Sequence, residues 1–400
     1  MKLAILSDFH LGYERFEDDA FSQAMKAMTL ATAEADALLL PGDLFDSKTP
    51  RPESVAQALE IFRIPFGKKW GARVSSFSAR DGRQNYCPLP VVAIPGTHEA
   101  RHKSLVNPVQ VLEKSGFLVN AQSACVSIEC GSEKLAVCGM GGVPESHARA
   151  AVEALSPQPV AGAFNVFMFH QSLQELLPVK DDHLSVDDLP RGFDLYVCGH
   201  MHRRVAERFG EKMLVIPGST VITQLRRDDG EGKGFYIFGT GSGKLEFREI
   251  GSRPFFFEEV ELNEAGASEA VEAVRSAVSR AIGSSPGSPV IRVKVSGTVK
   301  KGLMPSSIQF QPVIREFSGR AFVAIDKSLN SAGLEEKVAE LRALREKGAS
   351  VRELGLDLLR AKLAEKNLSR EVDVGHLFEI LSSTKKDAPE KAVDALLGRA

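Results

Sequence analysis

The 400-residue sequence contains few cysteines: Cys87, Cys125, Cys130, Cys138 and Cys198. Their number is odd, their spacing is wide and no Cys-x-x-Cys pair occurs, so the pattern does not suggest a disulfide framework. We therefore expect all five to be reduced core thiols in a protein of a reducing compartment.

Long apolar runs are also missing. No stretch approaches the ~18 uncharged apolar residues that a membrane-spanning helix requires. The apolar run before Asp8 is too short for a signal peptide. The sequence thus predicts a protein that does not span a membrane and that resides in the cytoplasm.

Neither sign of charge is in excess. The 50 lysines and arginines are balanced by 52 aspartates and glutamates, which leaves a net charge of -2. A protein coated in basic residues is excluded. If this chain binds nucleic acid, the positive charge must be local or must come from metal ions.

The organisation along the chain changes after about 250 residues. Before that point, short apolar runs flanked by Gly, Pro or Asp alternate with helical patterns, which predicts an α/β layered domain. Turn-forming residues place a boundary near Arg253. Residues 254–330 read as a smaller α+β unit and residues 331–400 as helical. A polar insertion between Ile64 and Pro88 shows no clear period.

Five short blocks, each after a predicted strand, hold most of the residues suited to chemistry. They are Ser7-Asp8-Phe9-His10, Gly42-Asp43-Leu44-Phe45-Asp46, Gly96-Thr97-His98-Glu99, His170 and Gly199-His200-Met201-His202. Loops at the carboxyl ends of strands are where α/β sheets place their ligands. Asp-x-His or Gly-Asp alone is as typical of a solvated strand end. His200 and His202 are a stronger signal, because alternate residues of an extended segment point the same way.

Together the blocks predict a site for two metal ions. Carboxylates and imidazoles are ligands suited to Mn, Fe and Zn. An aspartate that bridges two cations ~3.5–4 Å apart is typical of two-metal hydrolases, in which the ions bind a phosphoryl oxygen and activate a water. Such a site has a net positive charge, which attracts a phosphodiester.

The set of blocks resembles the signature of the calcineurin-like metallophosphoesterases. The finer pattern, Ser-Asp-Phe-His-Leu-Gly-Tyr with Gly-Asp-Leu-Phe-Asp and Arg51-Pro52, is similar to the SbcD-type nucleases of double-strand-break repair. This resemblance implies a DNA nuclease with a four-layered α/β/β/α sandwich over residues 1–253. It also implies a capping domain over 254–330, a helical partner-binding region over 331–400, and two divalent ions, with Mn²⁺ expected.

The resemblance also implies a role for each site residue. One metal would be held by Asp8, His10, Asp43 and His202, and the other by Asp43, His170 and His200. His98 matches the histidine that stabilises the transition state or protonates the leaving oxygen. The commoner family block has Asn, the fourth protein ligand of the second metal, where this chain has Thr97. The second site is therefore expected to bind its metal more loosely, to admit a water, or to use Thr97 only as a hydrogen-bond partner.

Local basic segments are the candidates for DNA contact. The polar insertion carries several basic residues around Trp70. Such a run fits a phosphate backbone with a stacked base, and it fits a solvated surface loop equally well. Asp46 stands where many relatives have a histidine beside the scissile phosphate. The candidate contacts are Asp46, Arg51, Lys68, Lys69, Arg73, Lys300 and Lys301.

The helical C-terminal region has apolar stripes with dense charge between them. This pattern fits a subdomain that packs on itself, or a docking element for a partner's coiled coil. The resemblance favours the second, with an SMC-like ABC ATPase as the partner, and it implies a homodimer.

Two other functions stay open. A calcineurin-like phosphodiesterase or phosphatase of a non-DNA substrate would show no preference for DNA. A DNA-end-binding scaffold would bind DNA tightly and cleave it little, because Thr97 weakens one metal site.

Overall fold

The computed structural model describes residues 1–67, 71–77, 88–102, 104–178, 183–332, 351–365, 373–382, 392–393 and 396. The described residues form two compact units. The first unit holds Met1–Glu258, Val278–Arg292 and Phe317–Ala324. The second holds Glu259–Ala277, Val293–Glu316 and the described part of Ile325–Ala400. The predicted domain boundaries, after residues 253 and 330, stay a prediction.

Two β-sheets form the centre of the first unit. Sheet one consists of Lys2–Ile5 (β1), Ala37–Leu40 (β2), Val91–Ala93 (β4), Val119–Asn120 (β5), Gly234–Gly239 (β12) and Leu245–Glu249 (β13). Sheet two consists of Ala72–Phe77 (β3), Ala124–Cys130 (β6), Glu133–Met140 (β7), Phe164–His170 (β8), Leu195–Gly199 (β9), Val205–Phe209 (β10) and Lys212–Ile216 (β11). The strand orders are β13-β12-β1-β2-β4-β5 and β10-β11-β9-β8-β7-β6-β3.

The helices of this unit cover the outer faces of the sheets. They are Glu17–Glu34 (α1), Pro52–Arg63 (α2), Pro108–Lys114 (α3) and Ala148–Leu155 (α4). Alternate residues of β1 enter different cores. Leu3 and Ile5 pack between the sheets, and Ala4 packs under α1 to α3. A third core joins sheet two to α4. The predicted α/β fold, with sheets flanked by helices, is confirmed.

Burial on both faces explains the composition of the central strands. All four residues of β2 are buried and apolar, because a parallel strand covered on both sides is hydrophobic throughout. Sequence signals also fix helix starts. Pro52 occupies the first turn of α2, and Asn107 caps α3 by accepting from the backbone N–H of Gln110 at 2.8 Å.

The rest of the described chain contains a three-stranded sheet and four helices. These elements are Phe255–Ala265 (β14), Ala267–Gly283 (α5), Val290–Val299 (β15), Gln311–Phe317 (α6), Phe322–Ser331 (β16), Val351–Glu365 (α7) and Val374–Ser382 (α8). The strand order is β14-β15-β16. Leu363 of α7 and Leu377 of α8 are buried in one apolar cluster, whereas Leu358 and Leu381 are exposed.

The structure corrects the expectation that every cysteine is a reduced thiol. Cys125 and Cys138 form a disulfide. They stand directly opposite each other on the antiparallel strands β6 and β7, where side chains are close enough to bond. Cys198 is a buried free thiol and Cys130 a partly buried one. Cys87 lies outside the described residues.

Two further findings concern the polar insertion and membrane spans. Residues 72–77 of the insertion form β3, which pairs with β6 at the edge of sheet two, so this part is a strand and not only a loop. Lys68, Lys69 and Trp70 lie outside the described residues. Among the helices of the described ranges, none combines the length and the apolar character needed to cross a bilayer.

Candidate metal centre

The predicted site residues come together where strands of both sheets end. Asp8 and His10 follow β1, Asp43 follows β2, and Thr97 and His98 follow β4. His170 is the last residue of β8, and His200 and His202 follow β9. The ring centroids of His10 and His202 lie 4.8 Å apart, and those of His170 and His200 lie 5.2 Å apart. Blocks that are up to 194 residues apart in the sequence, from Asp8 to His202, therefore form one site.

The first ligand group consists of Asp8, His10 and His202. Its ligand atoms all lie within 4.8 Å of one another. The Nε2 atoms of His10 and His202 are 3.1 Å apart. Asp8 Oδ1 lies 3.9 Å from His10 Nε2 and 3.7 Å from His202 Nε2. Two imidazole nitrogens and one carboxylate oxygen thus point at a common position.

The second ligand group consists of Asp43, His170 and His200. His170 Nε2 lies 3.1 Å from Asp43 Oδ2. Thr97 is beside this group, with its Oγ1 3.4 Å from Asp43 Oδ2 and 3.5 Å from His200 Nδ1. The structure therefore brings Thr97 to the group that the sequence assigned to it. Whether its hydroxyl ligates, and whether Asp43 bridges two ions, stay predictions.

The residues present fit divalent cations. Asp8 is fully buried, and its Oδ2 atom has no hydrogen-bond partner among the residues that the structure describes. A buried carboxylate oxygen without a donor is costly unless a cation compensates it. Burial raises the pKa of Asp8 to about 6, against the opposing charge of His170. The mixed set of carboxylates and imidazoles is the donor chemistry of Mn, Fe and Zn sites.

The histidines differ in their protonation. Burial alone would lower the pKa of His170, but the charge and hydrogen bond of Asp43 outweigh it and raise the pKa to about 9. Burial and the nearby His170 lower the pKa of His200 to about 4. Burial and His10 lower the pKa of His202. His200 and His202 are thus neutral at pH 7, which is the form of imidazole that binds a cation.

Hydrogen bonds behind the ligands fix the orientation of three imidazoles. The Nδ1 atom of His170 lies 2.6 Å from the carbonyl oxygen of Pro41. The Nδ1 atom of His10 lies 3.0 Å from Asp46 Oδ1. His202 Nδ1 bonds to the hydroxyl of Thr223. In each case Nε2 faces the ligand group, which is the usual arrangement of a metal-binding histidine. Sequence reasoning did not single out Thr223.

His98 differs from the ligands in its exposure. Its side chain is 44% exposed, and its ring centroid lies 5.0 Å from that of His10. The backbone N–H donates to Asp43 Oδ1 at 2.9 Å, and the side-chain Nδ1 lies 3.0 Å from the carbonyl oxygen of Asp46. Its Nδ1 is therefore engaged by the backbone, and no described residue forms a hydrogen bond with its Nε2.

Glu99 is a site residue to which the sequence argument gave no role. Its buried carboxylate accepts from the backbone N–H groups of Phe45 at 3.0 Å and Gly96 at 2.8 Å. Burial and the nearby charge of Asp43 raise the pKa of Glu99 to about 8. Glu99 therefore holds together the loops that carry Asp43 and His98. Its position next to His98 in the sequence was the only available signal.

The predicted DNA contacts differ in their surroundings. Asp46 lies beside His10 and His98. Arg51 forms an ion pair with Glu17 at 2.7 Å, and Lys300 forms one with Glu269 at 3.2 Å. Lys301 is exposed in a turn. Arg73 lies in β3, but its side chain is not described. Lys68 and Lys69 lie outside the described residues.

The fold and the two ligand groups define a class of protein. A chain with paired β-sheets flanked by helices, and with Asp-x-His, Gly-Asp, Gly-x-His and Gly-His-x-His at its strand ends, has the features of a metallophosphoesterase. The sequence model of the calcineurin-like phosphoesterases matches residues 1–204. The chain belongs to this family.

Curated relatives narrow the comparison within the family. The double-strand break repair protein MRE11 of Encephalitozoon cuniculi is 26% identical over 287 residues, which cover 66% of this chain and 50% of that protein. The DNA double-strand break repair protein Mre11 of Sulfurisphaera tokodaii is 26% identical over 57% of each chain. The Methanocaldococcus jannaschii protein of that name is 24% identical over 62% of this chain and 65% of its own length. The matches thus span about half to two thirds of these relatives.

Proposed function

We propose that this chain is a two-metal-dependent DNA nuclease, exonucleolytic, endonucleolytic or both, that hydrolyses phosphodiesters at DNA ends during double-strand-break repair. The carrying observation is the pair of ligand groups that meet beside the exposed imidazole of His98. The relatives named for double-strand break repair support DNA as the substrate.

The ligand groups support a site for each of two cations, with Mn²⁺ as the ion we expect. Asp8, His10 and His202, together with Asp43, would hold one ion, and Asp43, His170 and His200 would hold the other. When bound, such ions supply charge that draws in a phosphodiester and favours an attacking hydroxide. Asp43 faces the second group through Oδ2, while its Oδ1 accepts from the backbone of His98. The same carboxylate therefore couples the position of His98 to the ligand group.

His98 is suited to act on the leaving oxygen. Its Nδ1 contact with the Asp46 carbonyl requires a proton on Nδ1, because a carbonyl oxygen only accepts. A second proton on Nε2 could then be donated to the departing 3′ or 5′ oxygen of the DNA. General acid catalysis of this kind contributes ~10²- to 10⁴-fold to a rate.

Cleavage of end-labelled duplex and single-stranded DNA tests the proposal directly. We expect cutting with Mn²⁺, none in EDTA, and a loss of ~10²-fold or more in His98→Ala. His147→Ala is a matched control, because His147 is an exposed histidine outside both ligand groups. Bound Mn²⁺ should be unchanged in both variants.

Three outcomes would contradict the proposal. Turnover of bis-p-nitrophenyl phosphate without a preference for DNA would favour a phosphodiesterase of another substrate. Tight DNA binding with no cutting would favour the scaffold function. Equal activity of His98→Ala and the wild-type chain would remove His98 from the reaction.

We also propose a homodimer. Leu105, Val106 and Val111 are apolar residues in and just before α3, and each is 42–51% exposed. A second copy that covers this patch would remove its apolar surface from water. Sedimentation of the wild-type chain and of Val111→Glu measures this, and a wild-type monomer at micromolar concentration would contradict it.

The helices α7 and α8 are the proposed contact for an SMC-like ABC ATPase. They pack on each other through Leu363 and Leu377, yet Leu358 and Leu381 are more than half exposed. The two helices thus pack on themselves, and the two exposed leucines are what supports a docking function beside that packing. A coiled coil could pack on that outer face. Loss of ATPase binding in Leu358→Glu, but not in the exposed Arg360→Glu, is the expected result.

A further inference from the structure

Two clefts open beside the metal centre, one next to each side of the first ligand group. The Arg51 cleft has a volume of about 640 Å³ and is lined by Arg15, Asp46 and Arg51 among others. The Arg203 cleft has a volume of about 320 Å³ and is lined by His200, His202, Arg203 and Arg226 among others. Asp46 contacts His10, and His10 contacts His202. The ligand group therefore lies between the two clefts.

The Arg203 cleft is lined by both cationic and apolar side chains. Among the residues that the structure describes, neither Arg203 nor Arg226 forms an ion pair with a carboxylate. The guanidinium of Arg203 donates to the carbonyl oxygen of Leu176 at 2.8 Å. Leu177 and Met201 add apolar surface to the same lining.

The acidic residues of this cleft do not cancel its positive charge. Asp229 is buried and paired with Lys233 at 2.6 Å, so that its charge is compensated. Asp228 remains as one carboxylate in the lining. Two arginines against one free carboxylate leave the cleft with a net charge of about +1, before any metal is bound.

We propose that the Arg203 cleft is a subsite for the nucleotide next to the scissile phosphate, with Arg203 and Arg226 binding its phosphate and the apolar lining residues contacting its sugar and base. The cleft volume is within the ~300–1,000 Å³ range of sites for small ligands. Arginine binds phosphate with paired N–H donors.

The inference rests on the proposed nuclease function and adds a condition to it. The substrate strand must continue past the scissile phosphate into the Arg203 cleft. A phosphodiester without a neighbouring nucleotide phosphate reaches the metal centre but gains nothing from the two arginines. The arginines therefore determine the preference for a polynucleotide over a small diester.

The test compares Arg203→Ala and Arg226→Ala with Arg208→Ala. Arg208 is an exposed arginine of β10 that lines neither cleft. For a single-stranded oligonucleotide, each cleft variant should raise KM about three- to tenfold, the range for one lost hydrogen-bonded contact. For bis-p-nitrophenyl phosphate, kcat/KM should stay within about twofold of the wild-type value in all three variants.

A binding measurement separates this inference from the proposed catalysis. Fluorescence anisotropy in EDTA gives the affinity for the oligonucleotide at several salt concentrations. Loss of one phosphate contact lowers the slope of log affinity against log salt by about 0.7. We expect this change for Arg226→Ala and none for Arg208→Ala.

Each outcome has a definite meaning. An unchanged KM and salt slope in both cleft variants would overturn the subsite while leaving the nuclease intact. An equal loss with both substrates would also overturn it, because it would show damage to the metal centre. If the wild-type chain cuts nothing while the cleft variants lower the salt slope, the nuclease proposal fails and the cleft is a binding site for a nucleotide phosphate only.

Discussion

Asp46 offers a test of how the protein orients its first ligand group. Its Oδ1 accepts from His10 Nδ1 at 3.0 Å, and its side chain is only 27% exposed. This hydrogen bond keeps the proton on Nδ1, so that Nε2 of His10 is free and lies 3.1 Å from Nε2 of His202. Replacing Asp46 by Ala removes the acceptor but leaves all six proposed ligands in place.

The size of the effect follows from the position of the contact. Loss of a hydrogen-bond partner behind a ligating histidine costs ~10- to 100-fold in metal affinity, or about 1.4–2.7 kcal/mol. Only the first group should be affected, because His170 of the second group is oriented by the carbonyl oxygen of Pro41. Asp46→Asn keeps an amide oxygen as acceptor and should lose less.

Isothermal titration of the apo protein with Mn²⁺ measures both sites in one experiment. We expect one of two binding events to weaken in Asp46→Ala and the other to keep its affinity. The His98 carbonyl contact is to the backbone of Asp46, so that it survives the substitution. Equal weakening of both events, or no weakening at all, would refute an orienting role for Asp46. Thermal unfolding by circular dichroism controls for a general loss of structure.

The remaining predictions concern the loop that carries His98. Thr97→Asn should raise the Mn²⁺ affinity of the second group about tenfold. The hydroxyl of Thr97 lies 3.4 Å from Asp43 Oδ2, and the longer side chain of Asn would bring an amide oxygen further into the group. An unchanged Mn²⁺ titration would mean that this position does not ligate. Gly96→Ala should destabilise the fold by about 1–3 kcal/mol, because a Cβ would overlap the carboxylate and backbone nitrogen of Asp43. A melting temperature as high as that of Gly287→Ala, where a Cβ meets no atom, would contradict this.

Much of the fold and site could be predicted because the relevant signals are local. A buried parallel strand such as β2 reads as a short apolar run, and its next loop begins with Gly42 and Asp43. The carboxyl ends of parallel strands meet at one edge of a sheet. Residue type and strand position were therefore sufficient to predict that the ligand candidates of the five blocks lie at one site.

The features that were missed depend on contacts between distant segments. The disulfide requires Cys125 and Cys138 to be in register on β6 and β7, and no composition rule gives strand register. The role of Glu99 depends on the backbone N–H of Phe45, 54 residues away. Strand β3 lies at a sheet edge in a polar segment, where alternation of apolar residues is weak.

Backbone strain at the ligand residues connects the local sequence signals with the contacts between distant segments. Asp8, His10, Asp43 and His200 all adopt left-handed backbone conformations, with φ between 49° and 76°, which cost ~1–3 kcal/mol each for residues other than glycine. Such conformations persist only where surrounding contacts fix them. The contacts are present: the N–H of Asp8 donates to the carbonyl oxygen of Gly42, and the N–H of His200 donates to Asp8 Oδ1.

The glycines of the five sequence blocks are also required by contacts between distant segments. A Cβ on Gly199 would overlap the carbonyl oxygen of Pro41, and one on Gly96 would overlap Asp43. The ligand loops therefore pack so closely that only glycine fits between them. Asp43 can accept from His98 and contact His170 only because these loops approach each other this closely. The Gly-x-His and Gly-His-x-His patterns therefore reflect both the close packing of the loops and the chemistry of the ligands. For this reason the complete patterns predict the site better than the histidines alone.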